Sequence, residues 1–105
     1  MRRLLSTTEA RPVASGTGTV FAVERAWRLH PQVALRDEAF GALAYHYGNR
    51  RLVFLKSRTL VALVVALADY PSASAAIEAC VPEGSHAAYE RALARLAASE
   101  VIDVC

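Results

Sequence analysis

Residues 27–36, which read WRLHPQVALR, decide the fold because apolar side chains occupy alternate positions. Those positions are Trp27, Leu29, Val33 and Leu35. A period of two places alternate side chains on one face of a β-strand, as expected where one face of a sheet covers a core. Pro31 interrupts the run, and since proline has no amide hydrogen it favours a sheet edge or a bulge. We therefore predict a first strand over residues 26–36 with an interruption at Pro31.

Two further strand-like runs follow, over residues 42–47 and 51–55, with Gly48-Asn49 between them. A glycine and an asparagine between two such runs are typical of a tight β-hairpin, because both tolerate the backbone angles of its turn. The cross-strand pairs that this turn implies are Tyr45 with Leu52 and Leu43 with Phe54. We expect these four large apolar side chains to share the sheet face that covers the core.

Helical spacing replaces strand spacing after Ser57, which is a suitable N-terminal cap. From Leu60 onward, apolar residues recur at intervals of three and four, and the pattern ends before Pro71. A short second helix is predicted over residues 75–81, and Ser85 is predicted to cap a third. The apolar stripe of the third helix consists of Tyr89, Ala92, Leu93, Leu96 and Ala97. The order of elements predicts an α+β fold with an N-terminal three-stranded antiparallel sheet followed by a three-helix bundle.

Length and charge describe a small single domain with a basic front half. A chain of 105 residues has room for one core. Residues 1–20 show no periodicity, so we predict a disordered tail there and one folded domain over residues 21–105. Residues 1–60 carry ten Arg or Lys against four Asp or Glu, whereas residues 61–105 carry two against six. A basic sheet end attracts an acidic peptide, an anionic protein surface or nucleic acid.

The sequence contains no constellation that predicts catalysis, a metal or a cofactor. The histidines His30, His46 and His86 are not spaced as metal ligands, and Cys80 and Cys105 form no Cys-x-x-Cys motif. No Gly-rich phosphate loop and no nucleophile elbow is present. No apolar run approaches the ~20 residues that span a bilayer. We therefore expect a cytoplasmic binding module that is not an enzyme, with reduced thiols and without a metal, a cofactor or a membrane.

Basic side chains flank the third strand on both sides. They are Arg50, Arg51, Lys56 and Arg58. A peptide laid along this strand would lie among positive charges, although a charged edge also protects an unpaired strand from aggregation. Arg91 and Arg95 are four residues apart on the third helix, where they are either the wall of a groove or ordinary solvated arginines. The residues alone leave both alternatives open.

Several separated segments resemble the mycofactocin precursor-binding chaperones, a family similar to the pyrroloquinoline quinone chaperone. The segments are residues 27–36, residues 40–48 (FGALAYHYG), residues 50–57 (RRLVFLKS), residues 67–73 (LADYPSA) and residues 92–98 (ALARLAA). The resemblance as a whole covers about residues 24–102. It implies a winged-helix-like fold and a non-catalytic role. Such a domain holds the leader of a ribosomally made precursor peptide and presents it to a radical S-adenosylmethionine maturase.

The resemblance also implies a binding site. In such domains the leader adds as an antiparallel strand to the third strand and lies in a cleft beside the third helix. On this chain the implied strand residues are Arg51, Leu52, Val53, Phe54 and Leu55. The implied wall residues are Tyr89, Arg91, Ala92, Arg95 and Leu96. Main-chain bonds would supply affinity, and side-chain pockets and arginines would favour a leader with apolar and acidic residues interleaved. Val53→Pro would weaken binding by removing an amide donor.

Two other classes of function remain open from the sequence. A winged-helix domain with a basic front half could bind DNA, although the second helix contains Glu78 and no Lys or Arg. An open strand edge could also pair with its own copy in a scaffold or oligomerisation subunit. The expected partners are the precursor leader and the maturase, without nucleic acid, and the expected state is a monomer or a weak homodimer.

Overall fold

A computed structural model describes residues 20–105, so almost all of the predicted tail lies outside the described residues. The strands are β1 (Trp27–Leu29), β2 (Val33–Glu38), β3 (Gly41–His46), β4 (Leu52–Leu55) and β5 (Ile102–Val104). The helices are α1 (Arg58–Ala66), α2 (Ala73–Cys80) and α3 (His86–Ala98), with short 3-10 turns at Leu67–Asp69 and Glu83–Ser85. The predicted α+β class, with antiparallel strands and three helices, is confirmed.

The five strands found in residues 20–105 form two sheets rather than the single sheet predicted. β2, β3 and β4 form an antiparallel sheet in that order, and β1 pairs antiparallel with β5. The predicted first strand divides at Pro31, where the Val33 amide donates to the His30 carbonyl oxygen at 2.9 Å and closes a turn. The prediction of one first strand is therefore wrong, because this turn redirects the chain from the first sheet into the second.

β5 fastens the last residues of the chain to β1. Trp27 lies opposite Val104, and Leu29 lies opposite Ile102. Trp27 and Ile102 are both buried, so this small sheet contributes directly to the core. β5 has only three residues, which are too few for a period of two to identify a strand from the sequence.

Serine caps begin two of the helices. The Ser57 hydroxyl accepts a hydrogen bond from the Leu60 amide at 3.1 Å, as the sequence predicts. The Ser72 hydroxyl accepts one from the Ala75 amide at 3.0 Å, so α2 starts two residues before the predicted boundary. The prediction that Ser85 caps α3 is wrong, because its side chain makes no cap hydrogen bond.

The core lies between the inner face of the three-stranded sheet and the helices. Its largest fully buried side chains are Trp27, Leu55, Leu63, Val64, Leu67, Leu93, Val101 and Ile102. β3 contributes the small side chains of Ala42 and Ala44, together with His46. Small side chains on β3 allow α1 to pack close to the sheet, where Leu63 and Val64 fill the remaining space.

The predicted hairpin register is confirmed, but the predicted orientation of the hairpin is wrong. Tyr45 lies opposite Leu52 and Leu43 opposite Phe54. These side chains point away from the core, and Leu52 and Phe54 are 59% and 58% exposed. A period of two sorts residues onto two faces without identifying the buried one, and the helices pack on the face that carries the alanines. The outer face of the sheet is therefore strongly apolar.

Gly41 allows the end of β4 to lie against the start of β3. Its φ of 149° falls in a region that other residues rarely adopt. A Cβ atom at this position would collide with the carbonyl oxygen of Leu55. Glycine is therefore required here for the close approach of the two strands.

Gly41→Ala is expected to lower the free energy of unfolding by about 2 kcal/mol or more, because the backbone angle and the collision both oppose a methyl group. Gly84→Ala is the matched control, since a Cβ atom at Gly84 meets nothing within 4 Å. The control should change the free energy of unfolding by less than about 0.5 kcal/mol. Urea denaturation measures both values, and equal effects would contradict the close packing at Gly41.

Candidate functional site

β4 lies at the edge of its sheet. Among residues 20–105 it pairs only with β3, so one side of its backbone has no strand partner there. An edge strand presents a row of amide and carbonyl groups that another extended chain can pair with. The candidate site is built around this edge.

Two hydrogen bonds determine which backbone groups face the edge. The His46 amide donates to the Arg51 carbonyl oxygen at 3.0 Å, and the Tyr47 amide donates to the Gln32 carbonyl oxygen at 2.8 Å. In an antiparallel sheet, the backbone amide and carbonyl groups of successive residues point alternately to the neighbouring strand on one side and on the other. Even-numbered residues of β3 therefore bond to β4, and odd-numbered residues bond to β2.

The same alternation sorts the backbone groups of β4. Those of Val53 and Leu55 face β3, whereas those of Leu52 and Phe54 face the open edge. Leu52 and Phe54 thus offer two amide hydrogens and two carbonyl oxygens to an added strand. Val53→Pro, the substitution that the sequence suggests, would disrupt the pairing of β4 with β3 instead of a bond to a ligand. Leu52 is the informative position for a proline.

His46 holds the turn between β3 and β4 in place. Its ring Nδ1 accepts hydrogen bonds from the amides of Gly48 at 3.0 Å and Asn49 at 3.1 Å. Since Nδ1 is an acceptor, the proton of the neutral ring lies on Nε2, which is 4.0 Å from a Glu100 carboxylate oxygen. The ring is almost completely buried. His46 therefore stabilises the conformation of the turn and so fixes where β4 begins.

A groove of about 350 Å³ separates the end of β4 from α3. Its lining residues are Phe54, Lys56, Ser57, Leu60, Ala88, Tyr89, Ala92 and Arg95. Most of these side chains are apolar, whereas Lys56 and Arg95 add positive charge and are exposed to solvent. An apolar groove with basic borders, directly beside an open strand edge, suits an extended peptide with apolar and acidic side chains.

One hydrogen bond connects the two walls of the groove. The hydroxyl oxygens of Ser57 and Tyr89 are 2.9 Å apart. Ser57 caps the start of α1, and Tyr89 lies on α3. The bond therefore fixes the spacing of these helices where they form the groove.

The structure brings together four of the ten site residues that the resemblance implies. Those that line the groove are Phe54, Tyr89, Ala92 and Arg95. Those that lie along the strand but outside the lining are Arg51, Leu52 and Val53. Arg91 is exposed on α3, also outside the lining. Leu55 and Leu96 are buried in the core, so their side chains do not face the groove.

Four lining residues are not among the ten site residues that the resemblance implies. They are Lys56, Ser57, Leu60 and Ala88. Lys56 stands two residues after Phe54, so strand alternation places both on one side. Ala88, Ala92 and Arg95 follow helical spacing and share one face of α3. The sequence already places Lys56 among the basic residues that flank this strand, and helical spacing could have identified Ala88. The spacing of Ser57 and Leu60 assigns them to the start and apolar stripe of α1.

The groove offers hydrogen bonding, apolar burial and positive charge. Within the described part of the chain, no group of three His, Cys, Asp or Glu side chains could hold a metal ion. No helix in residues 20–105 is long and apolar enough to cross a membrane.

The fold and the groove together define a small α+β domain with a site suited to an extended peptide. The chain belongs to the peptide chaperone MftB family, whose family profile matches residues 26–103. The membership confirms the resemblance to a chaperone family that the separated sequence segments indicate. No solved structure matches the chain significantly.

Three relatives carry the name peptide chaperone MftB. The chain is 48% identical over 103 residues to the one from Mycobacterium ulcerans, covering 97% of this chain and 94% of the relative. It is 51% identical over 83 residues to the one from Mycobacterium tuberculosis, covering 78% and 76%. It is 48% identical over 83 residues to the one from Mycolicibacterium smegmatis, covering 78% and 81%. These relatives are named as chaperones of peptides.

The bond between Ser57 and Tyr89 can be tested by its contribution to stability. Ser57→Ala removes both the cap of α1 and the partner of Tyr89, so the free energy of unfolding should fall by about 1–2 kcal/mol. Tyr89→Phe removes only the bond between the helices and should lower the free energy of unfolding by about 0.5–1.5 kcal/mol. The double variant should lose less than the sum, because both changes remove the same bond. Chemical denaturation measures all three, and strict additivity would contradict a direct bond.

Proposed function

We propose that this chain binds the leader of a ribosomally made precursor peptide and presents the peptide to a radical S-adenosylmethionine maturase in mycofactocin biosynthesis. The leader adds as an antiparallel strand to the open edge of β4 and places side chains in the groove beside α3. The observation that carries this proposal is the outward orientation of the Leu52 and Phe54 backbone groups next to the groove. The names of the relatives support peptide binding over the DNA-binding alternative.

The chain itself carries out no reaction in this proposal. It orders a flexible leader along β4, and the rest of the precursor remains free to reach the maturase. The groove supports such a role because its lining is mostly apolar, as burial of leader side chains requires.

Main-chain bonds alone do not give a useful affinity. A micromolar complex requires about 8 kcal/mol, and each hydrogen bond contributes ~0.5–1.5 kcal/mol net. The four outward groups of Leu52 and Phe54 therefore supply only about 2–6 kcal/mol. Ordering a flexible leader costs a further ~2–5 kcal/mol. Burial of apolar leader side chains in the groove must supply the rest, so the groove determines both affinity and the choice of peptide.

Positive charge at the groove also contributes to the choice of peptide. Lys56 follows β4 and Arg95 lies on α3, so the two exposed cations border the groove from opposite walls. Acidic leader residues close to the apolar ones would pair with these two cations. Screening limits such attraction to about 8 Å. The charges therefore align a leader that is already close, and they do not attract it from a distance.

Leu52→Pro tests strand addition at β4. It removes one outward amide hydrogen, and an edge strand tolerates proline where the lost donor faces solvent. The dissociation constant of a synthetic mycofactocin precursor leader is expected to rise at least about tenfold, because one bond is lost and the ring obstructs close approach. Isothermal titration calorimetry measures this change.

Leu52→Ala is the matched control, because it shortens the same side chain but keeps the amide hydrogen. Its effect on the affinity for the leader should be clearly smaller than that of the proline. Urea denaturation establishes that both variants are folded. If the two folded variants bind the leader equally well, the leader does not pair with the outward amide of Leu52 and the proposal fails.

Arg95→Glu tests the basic border of the groove. A carboxylate at this position repels acidic leader residues, and the dissociation constant should rise about three- to tenfold at low salt. Arg91→Glu changes the net charge of α3 by the same amount outside the groove lining, and its effect should be smaller. Calorimetric titrations at low and high salt compare the two. Equal losses of affinity would assign the effect to net charge and contradict a specific role for Arg95.

A further inference from the structure

Large apolar side chains remain exposed on the outer face of the three-stranded sheet. Counted over all elements of residues 20–105, the exposed large apolar side chains are Val20, Phe40, Tyr47, Leu52, Phe54 and Val65. Four of these six lie on the strands or turns of this sheet. Clustered exposure of this kind indicates a binding surface, whereas scattered exposure does not. The groove accounts for Phe54 but leaves Phe40 without a role.

Phe40 lies in the turn between β2 and β3 and is 43% exposed. Its ring meets the Phe54 ring edge-on, with 5.7 Å between the ring centroids. Together with Lys56, the two rings line a second cavity of about 370 Å³. Turns favour small and polar residues, so the fold itself does not call for an aromatic ring at this position.

The groove and the second cavity share the side chains of Phe54 and Lys56. The two sites are therefore continuous around the end of β4, with α3 on one side and Phe40 on the other. A strand added to β4 points successive side chains to opposite faces. A side chain on the outer face lies ~5–8 Å from its direct and diagonal neighbours on the next strand. A large side chain beside Phe54 can thus reach the second cavity.

We propose that Phe40 forms a second subsite, which takes a large aromatic or branched aliphatic side chain of the peptide strand added to β4. The inference rests on the proposed function, because that function places the strand there. The residue in this subsite is adjacent in the peptide to the residue whose side chain fills the groove. The site therefore selects two consecutive large apolar residues. An acidic residue beside them pairs with Lys56, which borders both cavities.

An alanine scan of a synthetic mycofactocin precursor leader, titrated against wild-type protein and two variants, tests the second subsite. Phe40→Ala removes the subsite, and Ala88→Leu fills the groove from an exposed position on α3. Phe40→Ala should raise the dissociation constant about fivefold or more and abolish the effect of alanine at one leader position. Ala88→Leu should abolish the effect of alanine at the leader position next in sequence to the one that Phe40→Ala affects. Val65→Ala, exposed on α1 outside both cavities, should bind like the wild type.

Wild-type affinity in a folded Phe40→Ala variant would overturn the second subsite and leave strand addition at β4 in place. Loss of sensitivity at two leader positions that are not neighbours would also overturn it. If no leader binds the wild-type protein, the proposed function itself fails and the subsite fails with it. If Phe40→Ala does not fold, nuclear Overhauser contacts of the wild-type Phe40 ring decide the question. Contacts to one large apolar leader residue support the subsite, and their absence in a saturated complex overturns it.

Discussion

The pairing of β4 with β3 determines what this domain can offer to another chain. The register turns the backbone groups of Leu52 and Phe54 away from β3, and a shift by one residue would turn them toward it. His46 fixes that register by accepting hydrogen bonds from two amides of the turn. The bond between Ser57 and Tyr89 then sets the wall of the groove beside the same strand. The candidate site is thus a consequence of how the hairpin packs.

The distribution of small and large side chains on the hairpin explains how the core and the binding surface coexist. Ala42 and Ala44 face inward, so α1 packs close to the sheet and adds Leu63 and Val64 to the core. The large side chains of the hairpin are left on the outer face, where Phe54 contacts Phe40. Exposed aromatic surface is costly in water, and an added peptide strand would cover it. The proposed peptide strand would therefore add apolar burial on the outer face of the sheet.

The sequence predicts the local features of this fold well and the long-range ones poorly. The hairpin register follows from Gly48-Asn49, and the start of α1 follows from Ser57, because both depend on neighbouring residues. The buried face of the hairpin depends on where the helices pack, and alternation alone does not specify this. β5 pairs with a strand near the opposite end of the domain, so no local pattern indicates it. In the site, the resemblance implies Phe54 and Arg95, which line the groove, and also Leu96, whose burial follows from the tertiary packing of α3.

Amide hydrogen exchange, measured residue by residue by nuclear magnetic resonance, tests the central claim most directly. In the free protein the amides of Val53 and Leu55 should exchange slowly because they pair with β3, whereas those of Leu52 and Phe54 should exchange fast. The account predicts that a saturating synthetic mycofactocin precursor leader slows exchange at Leu52 and Phe54 and leaves Val53 and Leu55 slow. Saturable binding of the leader with unchanged, fast exchange at Leu52 and Phe54 would contradict it.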